Sequence, residues 1–248
     1  MTESPGAREA DWAHRPWPVP ERPWLMSQRW HNLLFAHWPL DPALVRAGLP
    51  AGLELDTFDG RAWLGLVPFR MSRIALRGLP RVPGAHRFPE LNVRTYVRRG
   101  DRPGVWFYSL DAASPIAVAA ARAWFCLPYF RARMQLAREG PWIRYSSERT
   151  HRGAAPASLA ASYRPTGPVA YAEPGSLEHW LTERYCLYAQ NRAGELKHGE
   201  IAHAPWPLQP AEARFETETC TAAAGFRTSG APHLLYAGRL DVRVWPLE

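Results

Sequence analysis

Short runs rich in apolar and aromatic positions, separated by polar, Gly and Pro turn residues, dominate this chain after about residue 24, and they predict strands. Gln28 to Trp38 is the first such run, rich in aromatic residues and leucine. Leu53 to Phe58 and Ala62 to Met71 flank Asp59-Gly60, a strong turn dipeptide, and are predicted to pair as a hairpin. Glu90 to Val97 and Val105 to Asp111 form a second predicted hairpin, turning through Gly100 to Gly104. Further strands are expected at Tyr129 to Arg138 and Trp142 to Arg149, across Glu139-Gly140-Pro141, and at Ser158 to Arg164. Tyr185 to Asn191 and Glu195 to Ala202 turn through Ala193-Gly194, and Arg214 to Cys220 and Leu234 to Trp245 complete the set.

The strand pattern is interrupted in three places. Asp41-Pro42 sets an N-cap before a proline at the first helical position, which predicts a short helix ending near Gly48 and Pro50. Ser114-Pro115 opens an alanine-rich helix to Phe125, and a third short helix is expected from Ser176 to about Glu183. About ten short strands with two or three small helices predict an α+β, mostly antiparallel architecture, a barrel or packed sheets. The strands do not alternate with long helices, which argues against a parallel Rossmann-type sheet. At the N-terminus, Arg15-Pro16-Trp17-Pro18-Val19-Pro20 is incompatible with helix. Residues 1–23 are read as an extended Pro/Trp-rich arm, and 24–248 as one domain.

Composition narrows the chemistry. Of the 30 basic residues only Lys197 is lysine, in a chain of net charge +7. A guanidinium stays protonated and forks onto anions, but cannot form a Schiff base. The arginines are spread along the chain, which favours a solvated surface over a nucleic-acid site. Cys126, Cys186 and Cys220 are distant from one another and odd in number, so neither a disulfide framework nor a metal site is expected, and no cofactor. Walker, GxGxxG, HExxH and GxSxG signatures are absent. Met1 to Gly6 opens no apolar signal segment, and the most apolar run, Ile116 to Ala121, is far too short to span a bilayer. The cytoplasm is therefore the expected location. Twelve tryptophans suit a barrel interior and a homo-oligomer interface equally well.

Four segments carry candidate chemistry. Glu90, Asn92, Arg94 and Tyr96 share one face of their strand, placing a carboxylate, an amide, a guanidinium and a phenol in a row. Such a row can clamp an anion through Arg94 and move a proton through Glu90; on pattern alone the plainer reading, the solvated face of a half-buried strand, comes first. Tyr108, on the partner strand, is a further ligand-binding candidate. Leu127-Pro128-Tyr129 follows the alanine-rich helix, and Tyr129 could present a phenol to a cavity. Glu183-Arg184-Tyr185-Cys186-Leu187-Tyr188 leaves the third helix, with Arg184 and Tyr185 as binding candidates; the plainer role for Arg184 is an ion pair fixing the helix end. His203, in His203-Ala204-Pro205-Trp206, is either a ligand contact or a strand-end histidine bonded to backbone.

These segments, in this order, together with Phe58-Asp-Gly-Arg-Ala-Trp-Leu-Gly-Leu-Val-Pro-Phe and Asp241-Val-Arg-Val-Trp, resemble the uncharacterised YqjF-like family, a domain-of-unknown-function group near the acetoacetate decarboxylase-like proteins. The resemblance covers roughly residues 24 to 246. It implies a cone-shaped, double-meander β-barrel with an internal cavity, and it favours placing Glu90 and Arg94 on that cavity. It also implies what is missing. The decarboxylases carry a Pro-Lys-Lys segment whose lysine forms a Schiff base, and Leu127-Pro128-Tyr129-Phe130-Arg131 offers none. The leading expectation is a barrel that binds a small anionic or carbonyl-bearing molecule. If catalytic, Glu90 would be general base, Arg94 the carboxylate or oxyanion partner and Tyr129 a proton donor. A non-catalytic sensor with the same cavity is the alternative, and arginine-driven nucleic-acid binding ranks third.

Overall fold

The computed structural model describes residues 12–80 and 82–248. In chain order these form β1 (Met26–Leu40), α1 (Pro42–Arg46), β2 (Glu54–Leu55), β3 (Ala62–Leu76), β4 (Phe88–Arg99), β5 (Arg102–Ala112) and α2 (Pro115–Trp124). There follow β6 (Tyr129–Glu139), β7 (Trp142–Arg149), β8 (Ser158–Pro165), α3 (Leu177–Thr182), β9 (Cys186–Gln190), β10 (Leu196–His203), β11 (Leu208–Glu218), α4 (Cys220–Ala223) and β12 (His233–Val244).

The strands close on themselves twice. A nine-stranded mixed barrel runs β12-β1-β3-β4-β5-β6-β7-β8-β11 and back to β12. The short pair β9–β10 makes a second closure over the same wall, because β9 pairs with β5 and β10 pairs with β12. The wall strands β12, β1, β3, β4 and β5 therefore have an interior on each side. Leu34, Ala36, Leu64, Leu66, Leu91 and Val93 face one interior, against Tyr145, Leu159 and Tyr163. Leu33, Phe35, Val67 and Phe69, the alternate residues, face the other, against α2, Leu127 and Trp206. Burial on both faces is why these strands read as near-continuous apolar runs such as Leu33-Leu34-Phe35-Ala36.

All pairings are antiparallel except β5–β6 and β5–β9. The latter brings backbones unusually close: a Cβ on Gly104 would lie 2.6 Å from the carbonyl oxygen of Cys186. The three predicted helices form, with Asp41, Ser114 and Ser176 as side-chain N-caps. The first hairpin is corrected. Asp59 and Gly60 both take positive φ, and Phe58 and Arg61 exchange two 3.0 Å backbone bonds, so the turn is there. Upstream of it, however, β2 pairs with β4 rather than β3. The expected strand from Arg214 to Cys220 starts earlier, at Leu208, and yields to α4 at Cys220.

The expected N-terminal arm is described from Trp12 onward; residues 1–11 lie outside the described residues. Arg15 and Trp17 donate to Glu200 at 2.7 and 2.9 Å, and Trp12 packs edge-on against Trp245. No described helix is long and apolar enough to cross a membrane.

Candidate functional site

The interior under α2 contains a cavity of about 330 Å³. Its polar lining comes mainly from β4. Phe88, Glu90, Asn92 and Arg94 line it in sequence, so the row read from strand parity faces a cavity. Walls are added by β1, β3, α2 and the start of β6, and by the segment from Thr182 to Leu187.

Glu90 is 3% exposed. Tyr129 donates its hydroxyl to Glu90 Oε2 at 2.8 Å, and Tyr145 reaches across the wall to donate to the Glu90 carbonyl at 2.6 Å. Burial pushes the Glu90 carboxyl up to about 8; the Tyr129 hydrogen bond opposes the rise, and the Asp111 charge adds to it. At neutral pH the group is thus mostly a neutral acid. Tyr129 is held well above its usual range, again chiefly by burial, and stays a donor.

Arg94 is the cation at the far end. Its Nη2 donates to the Leu181 carbonyl at 3.3 Å and meets the Tyr96 hydroxyl at 3.4 Å, and its guanidinium lies over Phe35 and Tyr96. Nε is buried without a partner, and Arg94 has no carboxylate within ion-pair distance among the described residues. Tyr96 is in turn fixed by His37 Nε2 at 2.6 Å. His37 fits because Gly65 lies opposite: a Cβ there would come to 3.0 Å from that ring nitrogen. Burial holds His37 well below its usual value, so it is neutral.

Four residues of extended strand separate Glu90 from Arg94, about 13 Å. The Arg94 side chain reaches still further from Glu90, toward Tyr96. A three- or four-carbon acid held at Arg94 would therefore lie away from the Glu90 carboxyl. Between them Asn92 presents an unpaired Oδ1.

Two other candidates line the cavity with their polar groups differently engaged. Arg184 forms an ion pair with Asp56 at 2.6 Å, donates to the Trp180 carbonyl at 2.6 Å and stacks on Trp180, which is the helix-end role. His203 Nδ1 is 2.8 Å from the Ala204 carbonyl. A carbonyl only accepts, so Nδ1 carries the hydrogen and Nε2 a lone pair with no protein partner. Burial depresses His203 to about 4 and keeps it neutral.

Tyr108 and Tyr185 are not in the cavity lining. A β-bulge opposite Val93 and Arg94 inserts one residue into β5, pairing Ser109 and then Phe107. Phe107 lines the cavity, and Tyr108 turns to the other interior, against Phe226. Tyr185 is buried behind the lining, donating to Glu183 and packing against His203 and Arg15. Trp206 was not anticipated. It packs against Phe35 and Trp30, lines the cavity and has an unpaired Nε1. Its only sequence signal was its place in His203-Ala204-Pro205-Trp206. Lys197 is not in the lining; it lies 3.5 Å from Glu195 on β10.

Residues 27–241 match the family model of DUF2071, described as an uncharacterized conserved protein. The uncharacterized protein YqjF of Bacillus subtilis is 46% identical over 231 residues, 93% of this chain and 94% of that one. Among solved structures, acetoacetate decarboxylase of Legionella pneumophila superposes with a TM-score of 0.64 at 14% identity, covering 100% of this chain and 97% of that one. The enduracididine biosynthesis enzyme MppR, complexed with pyruvate, gives 0.62 at 12% identity, over 94% and 92% of the two chains. An acetoacetate decarboxylase-like enzyme from Sphingomonas wittichii gives 0.59 at 16%, over 94% and 96%. The fold is thus the acetoacetate decarboxylase-like barrel.

Proposed function

The chain belongs to the uncharacterised DUF2071 family, and from that premise we propose that its cavity binds a small-molecule carboxylate and acts on a carbonyl group of it through Glu90 and Tyr129. One observation carries the reading: a hydrogen-bonded carboxyl–phenol pair shares a cavity with an arginine that has no carboxylate partner among the described residues. Arg94 anchors the anion. Glu90 and Tyr129 meet the molecule some distance away, at an oxygen or an acidic carbon. A carboxylic acid accepts best at its carbonyl oxygen, so with Oε2 taken by Tyr129 the proton sits on Oε1, ready to pass to a bound carbonyl. Ionised, the same group removes a proton alpha to that carbonyl, the step of an enolisation. With the one lysine outside the cavity, no amine adduct is invoked.

A thermal-shift screen of carbonyl-bearing carboxylates, with product formation followed by mass spectrometry, tests this. Glu90→Gln is expected to leave binding intact and to lower turnover by 10²-fold or more, as loss of a general acid–base does. Equal turnover in the variant overturns the catalytic role. A second reading has an observation in its favour: the Tyr129 hydroxyl is already committed to Glu90, and at neutral pH the pair is an uncharged, closed hydrogen bond. That suits a sensor, and a stabilising ligand recovered unchanged would establish it.

A further inference from the structure

Among the described residues seven large apolar side chains are strongly exposed, and four of them line this one cavity: Leu79, Val82, Ile116 and Trp124, at 60, 51, 55 and 66%. Scattered exposed apolar residues need no explanation, but a cluster continuous with a cavity does. The four come from two elements. Leu79 and Val82 belong to the connection between β3 and β4, and Ile116 and Trp124 lie two helical turns apart on α2. Ser114, the α2 N-cap, donates to the Gly84 carbonyl at 2.8 Å and ties the two together.

Along β4 the cavity is graded. Phe88 is at the end near these residues, Glu90 follows, and Arg94 is farthest along the strand, six residues or about 20 Å from Phe88. Met26, Met71, Ile74 and Phe125 complete an apolar approach to Glu90. A short acid anchored at Arg94 would leave that stretch unfilled.

We propose that the ligand is a long-chain amphiphile: an anionic head at Arg94 and an aliphatic tail long enough to pass Glu90 and leave between Leu79/Val82 and Ile116/Trp124. This rests on the reading of Arg94 as the anion site and adds the tail. A second copy of the chain could also cover an exposed apolar cluster, but would not explain its continuity with the buried apolar lining.

The test is calorimetric titration of the full chain with butanoate, octanoate, dodecanoate and hexadecanoate. Each methylene buried contributes about 0.8 kcal/mol, so affinity is expected to rise about fourfold per carbon. Val82→Asp and Ile116→Asp, at exposed positions, should flatten that rise without weakening butanoate or lowering the melting temperature. Arg94→Met should weaken every length alike. Arg94-dependent binding with no dependence on length overturns the tail and leaves the anion site standing. Length-dependent binding indifferent to Arg94→Met keeps the tail and overturns the anion site. Binding at no length overturns both. Dimerisation abolished by Ile116→Asp, with length-independent binding, assigns the cluster to a second copy instead.

Discussion

Glu90 and His203 pull the pH dependence of stability in opposite directions. Glu90 is raised from 4.5 to about 8, so between those values the folded state holds a proton that unfolding releases. Stability from this group is fully present below pH 4.5 and is lost as pH rises through 8. Urea midpoints of Glu90→Gln and the wild type should therefore converge near pH 4 and separate in the variant's favour toward pH 9. His203 is lowered from 6.5 to about 4, so the unfolded state takes up the proton first and stability falls as pH drops through that window. His203→Gln should flatten the acid limb of the same curve. What was legible at this scale was parity: Glu90, Asn92 and Arg94 share the cavity as the strand period requires. Two things were not. The bulge reverses parity for Tyr108, and no local pattern announces a bulge. Tyr96 keeps the shared face, but its hydroxyl is taken by His37, fifty-nine residues away in sequence.

At the scale of elements, turn and cap chemistry read well because both are local. Asp59-Gly60, Asp41-Pro42 and Ser114-Pro115 all do what their residue types require. Strand partners read less well, since β2 chooses β4 over β3 through contacts more than forty residues apart in sequence. The α2 N-cap has a second duty, because its hydroxyl also holds the Gly84 carbonyl. Ser114→Ala should cost about 1 kcal/mol, a drop in melting temperature of about 2–4 °C for a chain of this size, and should loosen the segment around Gly84 in hydrogen exchange. The β5–β9 pair is the most sensitive seam. Gly104→Ala would drive a methyl into the Cys186 carbonyl and the Tyr188 ring, an overpacking cost of about 1–3 kcal/mol readable as a shift in urea midpoint.

For the whole molecule, the abundance of arginine acquires a structural reading. Arg184 on Trp180, Arg149 on Phe130, and Arg164 with Arg214 on Trp142 all stack guanidinium on ring, a contact that suits arginine better than lysine. The fold class was legible from strand frequency, whereas the second closure was not, since β9 and β10 look in sequence like any other hairpin. That closure encloses the polar row, and Glu200 links it to the N-terminal residues by accepting from Arg15, Trp17 and Arg102. Arg15→Ala removes one partner of a buried pair and should cost about 3 kcal/mol in urea unfolding. The central claim, that this cavity is a graded site for an anion, is tested most directly by a crystal structure of the full chain with hexadecanoate. The expected result is a carboxylate within hydrogen-bonding distance of Arg94 Nε and a chain passing Glu90 toward Trp124. A carboxylate bound elsewhere, or a chain reversed in the cavity, would contradict it.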